Sequence, residues 1–232
     1  VTHKPRVAIV ATGDELVDVT TPPGPGQLVD SSAHALDALV REAGGIPHRL
    51  GIAGDTLEAL AAMLATALTY DVVISTGGVS VGDRDHVRAA LEAAGVTLEL
   101  YKVAMKPGKP FSFGRRGGIP VFGLPGNPVS TVVGFELFLR PALLAMQGAL
   151  AVERPRAPVE LAAGYRKQAG RAHFLRAHVV RDGARLLARV HAKQGSAMMS
   201  SMIGCNALVE LAAELTEIPP GGTAPAILLE AV

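Results

Sequence analysis

Residues 71–78 read Asp71-Val72-Val73-Ile74-Ser75-Thr76-Gly77-Gly78. A short β-branched run that stops at two glycines is the pattern of a strand buried on both faces and ended by a loop. A second such run, RVAIVAT at residues 6–12, stops at Gly13. Two helical periodicities lie between them. Asp30, Ser31 and Ser32 supply N-cap residues for a helix to about Ala43, with Leu36, Leu39, Val40 and Ala43 on one face. Asp55 or Thr56 can cap a second, on which Leu57, Leu60, Leu64 and Leu68 recur every three or four residues. A strand is expected near residues 48–52 and a third helix from about Asp85 to Ala94. Further strands are expected at 98–103, 111–115 and 119–124, then a long apolar helix from Pro128 to about Met146. This alternation predicts an α/β fold, a three-layer mostly parallel sheet with helices on both faces.

In such sheets ligands sit beyond the carboxyl ends of the strands. The loops richest in Gly, Pro and charge, at residues 13–15, 77–85, 106–110 and 124–128, each follow a predicted strand. They are therefore expected to share one edge.

The composition shifts at residues 152–158 (VERPRAP). Residues 1–150 hold 12 basic and 14 acidic side chains, and residues 151–232 hold 10 and 7. Short strands are expected at 159–163, 173–181, 185–191, 207–211 and 224–229, with a hairpin signal at Asp182-Gly183. The division is therefore an α/β domain over 1–150 and a small β domain over 151–232.

The 232 residues carry a net charge of +1, with 49% hydrophobic and 19% charged side chains, a globular composition. Near-neutral charge argues against nonspecific nucleic-acid binding. The single Cys205 leaves no intramolecular disulfide framework and no cysteine-based zinc site. No apolar run is read as reaching the roughly 18 residues of a membrane span, and a cytoplasmic location is expected. The Val1 start raises the possibility of a fragment.

Within the loop after residue 75, glycines allow close backbone approach to an anion, and Thr76 and Ser80 add hydroxyls. The same residues suit an ordinary strand-to-helix turn with Asp83 or Asp85 as its cap. The acids would repel phosphate unless a cation such as Mg²⁺ lay between them. Lys106-Pro107-Gly108-Lys109-Pro110 sets two ammonium groups on a restricted backbone, either around an anion or as a solvated basic turn. At residues 124–130 Gly126 could approach a ligand and Asn127 could cap the helix that Pro128 starts. Glu15 could hold a metal or polarise water. Asp55 has the same choice, with capping as the simpler role.

Taken together, these loops resemble the molybdopterin molybdenumtransferase family, the MoeA-type proteins and gephyrin-like E domains. The matching segments are Thr12-Gly13-Asp14-Glu15-Leu16, Gly26-Gln27 with Asp30-Ser31, residues 75–85, 106–110 and 123–130. In the tail they are Gly170-Arg171 with Phe174 and Arg176, Gln194-Gly195-Ser196 with Ser200-Ser201, and Asn206-Ala207-Leu208. The resemblance implies a molybdopterin-binding α/β domain and a small all-β, barrel-like domain. It also implies insertion of molybdate into adenylylated molybdopterin with release of AMP, supported by Mg²⁺.

Carried over by position, Asp55, Asp85 and Glu15 match catalytic acids, the first two at the nucleotide and Mg²⁺ end. Thr76, Gly77, Gly78, Ser80, Gly82, Gly126 and Asn127 match the pterin and phosphate loops. Lys106, Lys109, Arg171 and Ser196 match molybdate-binding positions. The family commonly has Asn where Ser32 stands, and it carries two further N-terminal domains. Its active site forms between subunits of a homodimer, so the chain alone is expected to be a poor catalyst. A molybdopterin adenylyltransferase is the expected partner; nucleic acid and membrane are not. Two alternatives stay open: a molybdopterin adenylyltransferase, which should carry a Gly-Gly-Thr-Gly loop and no β tail, and a non-catalytic scaffold module.

Overall fold

The computed structural model describes residues 3–77 and 86–232. In chain order the elements are strands Arg6–Thr12 (β1), Leu16–Val17 (β2) and Leu28–Val29 (β3), helix Ser31–Glu42 (α1), strand Ile46–Ala53 (β4), helix Leu57–Ala67 (α2) and strand Val72–Thr76 (β5). Helix His86–Ala93 (α3) and strands Thr97–Tyr101 (β6), Met105–Lys106 (β7), Ser112–Arg116 (β8) and Ile119–Leu124 (β9) follow. Next come helices Pro128–Gly134 (α4) and Arg140–Met146 (α5), joined by a π-helical segment, Phe135–Leu139. The remaining strands are Arg156–Leu161 (β10), Tyr165–Arg166 (β11), Ala172–Asp182 (β12), Arg185–Val190 (β13), Ala207–Leu211 (β14), Glu217–Ile218 (β15) and Thr223–Leu228 (β16).

The chain forms two compact units, residues 1–103 with 110–152, and residues 104–109 with 153–232. The first holds a six-stranded sheet in the order β4-β1-β5-β9-β8-β6. The first four strands are parallel, and β8 and β6 run antiparallel to their neighbours. Strand β1 shows why its sequence is apolar throughout. Val7 and Ile9 pack on one face with Leu36 and Val40 of α1 and Phe135 and Leu139 of the last helix. Ala8 and Val10 pack on the other with Leu60 and Leu64 of α2 and Val87 and Leu91 of α3. A strand that alternates between two buried faces needs apolar side chains at every position.

Asp30 caps α1, its carboxylate accepting from Ala33 N at 3.0 Å. Thr56 caps α2, its hydroxyl accepting from Ala59 N at 3.2 Å, which leaves the Asp55 carboxylate out of the capping role. Asn127 stands at the N-cap of α4 but makes no side-chain cap bond, contrary to expectation. Thr131 turns back instead, donating to Pro125 O at 2.7 Å. The π segment lies directly before Pro141, whose ring and missing N–H disfavour a regular α-turn there.

One expectation is corrected along this helix. Pro128–Met146 runs 19 residues with a mean hydropathy of 1.5, long and apolar enough by those measures to cross a membrane. Its apolar character has a packing explanation: Val129, Val133, Phe135, Leu139 and Leu143 lie in the core of the first unit.

In the second unit, strands pair in the order β13-β10-β16-β14-β12, and a β12–β13 pairing closes the ring into a five-stranded barrel. Val159, Leu161, Leu175, Ala177, Val179, Val209 and Leu211 fill it. Strand β7 joins in parallel to the start of β12, with Met105 opposite Ala172 and Lys106 opposite His173. The lysine-bearing segment 106–109 thus belongs to the second unit, because its backbone partner is a barrel strand.

Candidate functional site

The chemistry-bearing residues fall into one group in each unit. In the first, β1, β5 and β9 end level with one another: Ala11 pairs with Thr76, and Thr76 with Leu124. Residues 13–15, Gly77 and residues 125–127 leave from this one edge, and Ala53 opposite Thr12 brings Asp55 to it. The backbone here is close-packed. Gly77 has φ +87°, and a Cβ on it would lie 2.2 Å from Thr12 O. No other residue fits that position. A Cβ on Gly126 would lie 3.4 Å from Gly77 Cα. Ser32 donates to Gly126 O at 3.2 Å, a contact that the serine makes at the start of α1.

Two features show what this edge can do. The Thr12 hydroxyl is buried, next to Gly77, and has no hydrogen-bond partner among the described residues. A buried hydroxyl without a partner among the described residues, beside bare glycine backbone, is a donor set that could serve an anion. Asp14, Glu15 and Asp55 are exposed, and Asp14 accepts from Asp55 N at 3.0 Å, tying the first loop to the start of α2. Among the described residues no three His, Cys, Asp or Glu side chains converge. A divalent cation at this edge would therefore draw oxygens from phosphate as well as carboxylate, the common Mg²⁺ arrangement. Gly78, Ser80, Gly82 and Asp85, all expected site residues, lie outside the described residues.

The second group is cationic. Lys106 and Lys109 are exposed on either side of Pro107 and Gly108, and Arg171 is exposed just before β12. None of the three has a hydrogen bond or ion pair through its side chain to another described residue. Lys167 donates to Arg171 O at 3.0 Å and Ala213 O at 3.1 Å. In register with Lys106 lies His173, 6% exposed, with Nδ1 buried and without a partner among the described residues. Burial first, then the charges of Lys106, Lys167 and Arg171, push its imidazole down from 6.5 to about 4. The ring is therefore neutral near pH 7.

Ser196 is half-buried in a loop that Arg176 holds down. Arg176 is 1% exposed. It donates to Lys193 O at 3.2 Å, Gly195 O at 3.1 Å and Ser201 Oγ at 3.1 Å. Gln194 adds two bonds, accepting from Arg176 N and donating to Arg176 O. This lattice fixes the loop to the strand that begins just after Arg171.

Sequence reasoning gave no site role to Thr12, His173 or Arg176. Arg176 stood among the segments that carry the family resemblance, without a role of its own, and His173 only as the first residue of an expected strand. Closure of the barrel buries residues 173–177 in succession, and no periodicity announces that.

Residues 8–145 match a family described as "Probable molybdopterin binding domain", and residues 158–229 match "MoeA C-terminal region (domain IV)". The chain is 37% identical over 227 residues to the molybdopterin molybdenumtransferase of Bacillus subtilis, covering 96% of this chain and 50% of that protein. It is 33% identical over 222 residues to molybdopterin molybdenumtransferase 2 of Mycobacterium tuberculosis, covering 93% and 54%. The molybdopterin biosynthesis moea protein from Pyrococcus horikosii superposes with a TM-score of 0.85 at 30% identity, over 99% of this chain and 55% of that one. The chain thus spans about half the length of the curated relatives it matches.

Proposed function

The chain belongs to the MoeA-type molybdopterin-binding family, and we propose that it serves molybdenum cofactor biosynthesis as the ligand-binding part of a molybdopterin molybdenumtransferase. The reaction inserts molybdate into adenylylated molybdopterin and releases AMP. The single observation that carries this reading is the cation group of the second unit: Lys106, Lys109 and Arg171 have no counter-ion among the described residues. Like charges held together without an anion repel, and a tetrahedral dianion relieves them.

Lys106, Lys109 and Arg171 bind the molybdate oxygens, and Ser196 donates a further hydrogen bond from the loop pinned by Arg176. Thr12, Thr76, Gly77, Gly126 and Asn127 take the phosphate and pterin end through hydroxyl and backbone donors. The loop between Gly77 and His86 contributes Gly78, Ser80, Gly82 and Asp85 by position alone. Asp55, Asp85 and Glu15 serve the anhydride: Asp55 and Asp85 would hold Mg²⁺, which would supply positive charge against that developing on the AMP leaving group, and Glu15 would orient water. The carboxylates do not act as nucleophiles. The working form is a cytoplasmic homodimer that receives its substrate from a molybdopterin adenylyltransferase. Since the relatives are about twice as long, the 232-residue chain binds both ligands but turns over slowly.

The test is release of AMP from adenylylated molybdopterin, followed by chromatography with and without molybdate. Molybdate-dependent release that falls at least tenfold in Asp55→Asn or Arg171→Ala supports the reading. Binding of neither ligand would end it.

A further inference from the structure

We propose that His173 is a binding residue for the oxyanion of the second unit, its buried Nδ1 donating to a tetrahedral dianion held by Lys106 and Arg171. The inference rests on the molybdate reading of that group of cations and goes beyond it by adding a donor and its proton. Nδ1 has no hydrogen-bond partner among the described residues, although its residue sits in a strand of the closed barrel. Buried polar atoms without partners are uncommon in folded proteins and call for an explanation.

The neighbours narrow the choice of partner. Lys106 is in register with His173 on β7. Lys167 and Arg171 act on the ring from the segment before β12, and the Tyr165 ring of β11 meets it edge-on with centroids 6.4 Å apart. No carboxylate is among the groups that act on it. The Lys167 ammonium is occupied by backbone carbonyls. The Lys106 and Arg171 side chains are exposed and unpaired, so they move with an arriving anion. Cations cannot accept from an imidazole N–H. An anion drawn in by them can. The bound form therefore carries its proton on Nδ1.

A consequence for pH follows. In the empty site burial first, and then the three cations, keep the ring neutral. A dianion opposes those cations and raises the ring's affinity for a proton, while the cost of burial remains. A group whose pKa rises on binding makes the ligand bind more tightly as pH falls. Binding is therefore tighter at pH 6 than at pH 8, by up to about fourfold, the limit reached only if the ring returns fully to about 6.5.

The experiment is calorimetric titration of the whole chain with sub-millimolar sodium molybdate at pH 6 and pH 8, with ¹⁵N spectra of the histidine rings. We expect Nδ1–H at His173 in the molybdate-saturated protein. We expect His173→Phe to bind roughly tenfold more weakly. His173→Asn, which keeps a donor near Nδ1, should lose about threefold and lose the pH dependence. An unprotonated Nδ1 at saturation overturns the proposal, and this readout needs no variant to fold. If His173→Phe binds like the parent while Arg171→Ala loses binding, the proposal falls and the molybdate reading stands. If the parent binds no molybdate, or Arg171→Ala has no effect, the molybdate reading falls and the proposal with it.

Discussion

The sheet edge of the first unit and the start of β12 in the second are built on different physics. At the sheet edge the donors are backbone and hydroxyl, and space is made by leaving out side chains at Gly77 and Gly126. At β12 the donors are cationic side chains around one buried neutral ring. Shape governs the first and charge governs the second. Substitutions should therefore fail in different ways, sterically in one unit and electrostatically in the other.

The largest expected effect is at Gly77. Gly77→Val puts a branched side chain at φ +87° against Thr12 O. It should destabilise the first unit by about 3 kcal/mol or more in urea denaturation. A change within about 0.5 kcal/mol would show that the edge is not tightly built.

Arg176→Met comes next. It removes three hydrogen bonds to the 193–201 loop and leaves two carbonyls and a hydroxyl short of a donor. The expected cost is about 2–3 kcal/mol, with faster amide exchange in residues 193–201 and weaker molybdate binding. Retained protection there would break the link between Arg176 and Ser196.

Acid should tell the units apart more gently. The His173 imidazole is depressed to about 4 in the folded chain. Between that value and the unfolded value of about 6.5 the unfolded chain binds more protons, so stability falls as pH falls through this window. The melting temperature of the second unit should drop by about 10 °C or more from pH 7 to pH 4, and less in His173→Asn.

The smallest effect on stability belongs to Thr12→Val. Replacing an orphan buried hydroxyl by a methyl should be neutral, or stabilising by up to about 1 kcal/mol, while adenylylated molybdopterin binds several-fold more weakly. A loss of stability would mean that the hydroxyl has a structural partner.

These contrasts also explain what the sequence made legible. The runs at 6–12 and 72–76 became β1 and β5 because a strand covered on both faces must be apolar at every position. Asp30 capped α1 as its position implied. The choice between Asp55 and Thr56 needed the structure, since either side chain suits the cap. Asn127 was legible by position but not by bond, because Thr131 already turns back into the same loop. The Lys106 segment followed a predicted strand, yet long-range pairing with β12 decided its place. His173 and Arg176 were hidden for a related reason: burial in a closed barrel comes from strands distant in sequence.

The most direct measurement is a crossed titration of the full chain, with molybdate and with adenylylated molybdopterin, for the parent, Thr12→Val and Arg171→Ala. Arg171→Ala should lose about tenfold in affinity for molybdate and Thr12→Val about fivefold for adenylylated molybdopterin, each losing less than about twofold for the other ligand. Loss of both ligands in either variant, or of neither in both, would contradict the division between a shape-built edge and a charge-built one.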